Sequence, residues 1–264
     1  MTNETTKDKK SKLSIFSIVS GVVAFLSTVI GVFVFFTGKS DLPSLLSSAN
    51  IVMNKWDKAK ASELAMGILR KELPVDEKNS KLHHTIIEHY YLKYNQDDER
   101  FVVALSSIGD DFECHACAPL LSFIEFKKQD NDGWIIGRKN IGIFREGSWG
   151  SPPSLKVMII GTNNWGIVTQ GGYTSTGIHS ESTTIYANIA GTYQEVFSET
   201  TEEDHSGRGS VYELTSDISV RPVTGNPFYD LVLVKNIRSE EGEQSSEKII
   251  YKFDGQRYSA SSLK

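Results

Sequence analysis

Residues 183–197 read TTIYANIAGTYQEVF, and this stretch decides the fold class. Thr183 to Ile189 and Tyr193 to Phe197 are short runs rich in β-branched and aromatic residues, interrupted near Gly191. That is strand spacing and not helix spacing. Upstream, the same texture recurs at Phe101 to Ser106, Leu120 to Phe126, Trp134 to Ile136, Lys156 to Ile160 and Trp165 to Thr169. Downstream it recurs at Val211 to Val220, Tyr229 to Ile237 and Lys248 to Phe253, the last facing Arg257 to Ser259 across Asp254-Gly255. About ten strands joined by short turns imply an antiparallel meander, hence a mainly β sandwich, barrel-like domain or partial propeller over residues 81–264. Ile160-Gly161 and Trp165-Gly166 have the look of propeller blade turns, but no long period repeats, so a sandwich or barrel is preferred. Residues 81–94 carry neither period clearly. Polar stretches at Thr200 to Gly209 and Ser239 to Glu247 read as solvated hairpin tips.

Ahead of this domain, no charged residue occurs from Leu13 to Phe36. Such a run spans about 36 Å as a helix, enough to cross a bilayer core. It is longer than the apolar region of a signal peptide and ends without a small-x-small site, so an uncleaved, single-pass signal-anchor is expected over 13–36. Lys7, Lys9, Lys10 and Lys12 against Glu4 and Asp8 give the 1–12 tail a charge of +2. The chain totals −5, so the remainder carries −7. The lysine-rich flank belongs in the cytoplasm and the large domain outside it. Ser17, Gly21, Ala24, Thr28 and Gly31 line one face of that helix and suit a homodimer contact. Ser40-Asp41-Leu42-Pro43 reads as a helix start and Leu73-Pro74 as its end, giving a juxtamembrane helix over 40–73. Its seam of Leu42, Leu45, Ala49, Val52, Trp56 and Ala59 suits packing on the domain, with a coiled coil as the alternative.

The sharpest chemical feature is Cys114-His115-Ala116-Cys117-Ala118-Pro119, which holds both cysteines of the chain. Outside the cytoplasm the two thiols can close a disulfide that pins a turn. A redox-active pair is the alternative, with Cys114 attacking, His115 stabilising its thiolate and Cys117 resolving. The strand-like run beginning at Leu120 argues against a thioredoxin framework. Haem attachment is excluded because Ala118 stands where histidine is required. Zinc and calcium patterns fail as well. His84 to His89 misses both zinc-protease spacings, and Lys128 occupies the position that should open the Asp130-Asn131-Asp132-Gly133 loop with a carboxylate. That tetrapeptide reads instead as a hairpin turn with Gly133 at positive φ. No nucleophile elbow or phosphate loop is present in the sequence, and no cofactor or metal is expected. Gly171 to Gly177, with Tyr173 in it, has a loop composition suited to sugars or peptides. Trp149 and Trp165, near predicted strand ends, are further weak binding candidates.

The acidic balance makes nucleic acid an unlikely partner. An anchor, a helix and a β-rich domain without catalytic signature point to a non-enzymatic binding or assembly protein of the cell envelope, with a thiol-disulfide oxidoreductase as the alternative. Asn3 carries the only Asn-x-Ser/Thr acceptor and lies on the predicted cytoplasmic side, which favours the periplasm of a bacterium.

Overall fold

The computed structural model describes residues 51–73, 81–93, 98–110, 114 and 117–261. The expected 1–12 tail, the expected 13–36 anchor with its small-residue face, and the 40–50 part of the expected helix lie outside the described residues. Among those described, no helix is long and apolar enough to cross a membrane. The architecture is mainly antiparallel β-sheet, as the meander pattern implied, built as two sheets and one α-helix within the single unit Ile51–Lys264.

The helix is shorter than read from sequence, and it is part of the β-rich domain. Ile51–Met53 forms strand β1, and helix α1 spans only Lys58–Glu72. The carboxylate of Asp57 accepts from Lys60 N at 3.1 Å, satisfying a free N–H of the first turn and setting the start. Arg70 and Lys71 complement the dipole of the last turn. The buried face is Ala61, Ala65 and Leu69, continued by Leu73 beyond the helix, whereas Ala59 of the expected seam is exposed. The two alanines let the helix approach a sheet closely.

That sheet has five strands, ordered β1-β5-β4-β3-β2, with β2 (Leu82–Lys93), β3 (Glu99–Gly109), β4 (Leu120–Lys128) and β5 (Trp134–Arg145). The run Phe101-Val-Val-Ala-Leu105 has no polar alternation because β3 is covered on both faces. Phe101, Val103 and Leu105 join the core under α1, while Val102 and Ala104 join a second core with Ile167, Tyr186 and Tyr193 of the other sheet. The ambiguous 81–94 segment is the edge strand β2, whose half-buried, irregular pattern carries weak periodicity.

The second sheet has eight strands, β6 (Ser154–Gly161), β7 (Asn164–Ser175), β8 (Ile178–Ile189), β9 (Thr192–Asp204), β10 (Glu213–Arg221), β11 (Asp230–Arg238), β12 (Gln244–Phe253) and β13 (Tyr258–Ala260). They follow one another in chain order. Three stretches read as loops are strand in part. Cross-strand pairing carries β7 through Gly171 to Ser175 and β9 through Thr200 to Asp204, and it starts β12 at Gln244, inside the tip read over Ser239 to Glu247. The hairpins close in two residues with positive φ at Thr176-Gly177 and at Ala190-Gly191, the turn type whose twist matches paired strands. In the β4–β5 hairpin, Asp132 and not Gly133 takes positive φ, which an aspartate tolerates better than most side chains.

This sheet curls on itself and packs as a sandwich or half-barrel. Ile160, Val168, Ile185 and Phe197 from its first half share one core with Leu231, Leu233, Tyr251 and Tyr258 from its second. β9 and β10 share three rungs, 202–204 with 213–215, so the halves can splay and fold over. The fold-over is fastened at β6. Tyr229 N donates to Ile160 O at 2.8 Å, the Tyr258 hydroxyl donates to the same oxygen at 3.3 Å, and Gly161 bridges Phe228. A Cβ on Gly161 would lie 2.0 Å from Pro227 O. Gly161→Ala is therefore expected to cost about 1–3 kcal/mol through forced separation at this seam. The exposed control Gly67→Ala, which meets nothing within 4 Å in α1, should instead gain about 0.5–1 kcal/mol. Urea midpoints of the two variants measured side by side check the contrast, and equal midpoints would refute the seam.

Candidate functional site

Where the two sheets meet near the start of β3, the apolar interior gives way to charge. Arg100 lies on the same side of β3 as Val102 and Ala104, facing the second sheet. Its Nε and Nη2 donate to the two oxygens of Asp98 at 2.8 Å each, and its Nη1 donates to Glu125 Oε1 at 2.7 Å. Glu125 is fully buried in β4. Its other oxygen accepts from the Tyr193 hydroxyl at 3.3 Å, so the carboxylate ties the first sheet to the second. Asn140 reinforces the join, its Nδ2 donating to Tyr193 O at 3.0 Å and its Oδ1 accepting from Tyr193 N at 3.3 Å.

Arg100 and Asp98 each favour the charged form. Burial penalises the Arg100 guanidinium, but its bonds to Asp98 and Glu125 outweigh that and raise its pKa. The hydrogen bonds from Arg100 hold the Asp98 carboxyl below the usual carboxylate range despite partial burial. Two more cations stand close by, Arg138 with Nη1 3.8 Å from Glu125 Oε1 and Lys127 with Nζ 3.9 Å from Asp98 Oδ1. Three cations against two carboxylates leave this corner positive in a chain whose net charge is −5.

Above this network opens a cleft of about 560 Å³, a size that accepts a small ligand. Asp98, Arg100 and Arg138 form its charged side, and Trp165 and Asn188 contribute from β7 and β8. The turns at Asn163-Asn164 and Ala190-Gly191 make the rim. Asn163 at φ 62° and Ala190 at φ 50° sit in the left-handed region, which an alanine enters at a cost of about 1 kcal/mol or more. Asn188 Oδ1 accepts from Gly191 N at 3.1 Å, which fixes the orientation of its amide. Its Nδ2 is buried and has no hydrogen-bond partner among the described residues.

The residues singled out from sequence separate into two places. Trp165 belongs to this cleft. Cys114, Cys117, Trp149 and Tyr173 gather at the other end of the first sheet, where β4 begins and β5 ends. The cysteine sulfurs lie at disulfide distance, 2.14 Å, and Cys117 N donates to Cys114 O at 2.9 Å to close a turn. Gly150 N donates to Cys117 O at 2.8 Å, and the Ser148 hydroxyl donates to Gly172 O at 2.6 Å, so the three loops are laced together. Trp149 and Tyr173 are half exposed there, at 51% and 53%. His115 lies outside the described residues.

His84 and His89 sit on a strand and serve structure, each ring nitrogen bonding a serine hydroxyl, Ser107 at 2.8 Å and Ser62 at 2.9 Å. Burial lowers both pKa values and keeps the rings neutral. His179, Glu181 and Glu202 bring their ligand-type atoms within 4.8 Å of one another on the β8–β9 ladder. The ladder sets Glu181 directly opposite Glu202, a juxtaposition invisible in sequence.

The cleft itself was missed from sequence, although one signal was present: Glu125 stands inside the apolar run Leu120 to Phe126, where a lone carboxylate on a covered strand demands a partner. No protein-family model, curated protein or solved structure matches the chain.

Proposed function

We propose that this chain is a membrane-anchored envelope protein whose β-rich domain, held outside the cytoplasm, binds a small polar ligand in the cleft between its two sheets without transforming it. The observation that carries the reading is the buried Arg100–Glu125–Tyr193 network beneath the cleft. Its charges are spent on one another, which suits a rigid, preorganised floor for binding and not a proton-transferring centre. The uncharged run 13–36 and its lysine-rich flank support the anchor and its orientation.

A second reading, a tethered thiol-disulfide oxidoreductase, is favoured by the exposure of Cys114 beside its partner sulfur. Against it stands the setting, a turn between strands β3 and β4 and not a strand-to-helix junction.

Thermal unfolding of the full chain in mild detergent, with pooled soluble saccharides, amino acids and dicarboxylates, separates the two. One pool at about 100 times its dissociation constant should raise the Tm by about 5–10 °C. The rise is expected to vanish in Arg138→Ala and persist in Cys114→Ser/Cys117→Ser. A rise unaffected by Arg138→Ala removes the cleft, and cysteine-dependent reduction of a model disulfide substrate installs the second reading.

A further inference from the structure

We infer that the ligand of the cleft is an acidic saccharide, its carboxylate taken by Arg138 and Asn188 and its ring placed beside Trp165; this rests on the cleft being the binding site. The two arginines differ in the way that matters. Arg100 spends three nitrogens on Asp98 and Glu125 and has become part of the floor. Among the described residues Arg138 approaches Glu125 at 3.8 Å and acts on the Asp98 carboxylate through its charge, hydrogen-bonding neither; its side chain is 30% exposed, and it lines the opening. Its guanidinium is the donor that a ligand can claim, and a guanidinium pairs with a planar carboxylate through two parallel hydrogen bonds.

Asn188 supplies a second donor. A buried amide N–H without an acceptor needs an explanation in a folded protein. Here the acceptor of the same amide is fixed by Gly191 N, so rotating the group by half a turn would lose an existing bond. A ligand oxygen admitted at this wall, with slight yielding of the Ala190-Gly191 rim, gives Nδ2 the partner it lacks.

The remaining lining narrows the class. Asn164 Nδ2 is committed to Thr162 O and Pro227 O, which leaves its Oδ1 to accept from a hydroxyl. Among the described lining residues Trp165 is the one large apolar surface, and its partly buried ring is held against the inter-sheet core. Amide groups that exchange hydrogen bonds with hydroxyls, together with one aromatic face, match a sugar ring. A peptide would ask for apolar pockets for its side chains. A local excess of one positive charge matches a carboxylate better than a dianionic phosphate.

Isothermal titration of the full chain in detergent tests this with digalacturonate, its neutral counterpart galactobiose, a short peptide with a free C-terminal carboxylate, and inorganic phosphate. Digalacturonate is expected to bind at least about tenfold more tightly than galactobiose, the worth of one charge-assisted pair. Arg138→Gln should erase that difference and Arg138→Lys should restore part of it, with circular dichroism unchanged in both. Asn188→Asp should weaken digalacturonate about tenfold and spare galactobiose. Equal binding of the two saccharides, or binding of neither, overturns the inference. Binding of the peptide or of phosphate in its place, still dependent on Arg138, overturns the saccharide class while leaving the cleft as the site. Binding of any probe with no dependence on Arg138 overturns both.

Discussion

Glu125→Leu is expected to lower the unfolding free energy by about 3–5 kcal/mol, the cost of stranding the other half of a buried ion pair. Arg100 is 8% exposed and Glu125 fully buried, so the guanidinium cannot recover its lost partner from water. Tyr193 loses its acceptor at the same time. Asp98, which holds two nitrogens of Arg100, keeps the loss toward the lower end of the range. The double replacement Arg100→Met/Glu125→Leu should recover most of the deficit, because an apolar pair of similar volume removes both charges together. Urea unfolding monitored by tryptophan fluorescence reads all three chains, and a single variant as stable as the wild type would show that the pair is solvated.

The pH dependence carries the same signature. The folded Asp98 carboxyl sits below its unfolded value, so the unfolded chain binds more protons in the acid range. The stability contributed is complete above the unfolded pKa, about 3.9, and is lost as pH falls through the lower folded pKa. In Asp98→Asn this contribution is absent, so that variant should lose less stability than the wild type as pH falls through this interval, which urea midpoints on either side of it would show.

What was legible in the sequence follows from what each period measures. Strands β3 to β13 were found because β-branched and aromatic runs announce a pleated, half-covered surface wherever they occur, and the two-residue hairpins keep them close in sequence. The extension of β7 to Ser175 and β9 to Asp204 was hidden because these ends are polar, held by register with neighbours and not by burial. β2 was hidden for a related reason: an edge strand has one partner, and its exposed Tyr91 sits beside half-buried positions. Among the described residues the helix starts at Asp57, where Val52 and Met53 pack beside Trp56 and Trp134 beneath the helix. Of the site, Trp165 was named and Arg100, Glu125, Arg138 and Asn188 were not. They come from four strands; pairing within the first sheet sets Glu125 opposite Arg138 and beside Arg100, and Asn188 joins only when the two sheets pack, which no local spacing encodes.

The joining of those sheets leads to the second large effect, that of Phe123→Ala. Phe123 is fully buried on the face of β4 that meets the second sheet. Its ring centroid lies 5.9 Å from Phe144, 6.1 Å from Tyr186 and 5.6 Å from Tyr193, so two rings contributed by β8 and β9 close over it. Truncation removes the transfer free energy of the ring and leaves a cavity among residues held by backbone ladders on both sides, which cannot collapse to fill it. The expected cost is about 3–5 kcal/mol, read as a Tm fall of about 10 °C. The denaturant slope should stay unchanged and the transition single, because the core shared by the two sheets and the bonds from Tyr193 to Glu125 and Asn140 couple them. Calorimetry decides the point. Two separated transitions in Phe123→Ala would mean that the sheets are stable bodies merely in contact, and a cleft walled by both would then be formed by its ligand and not prepared for it.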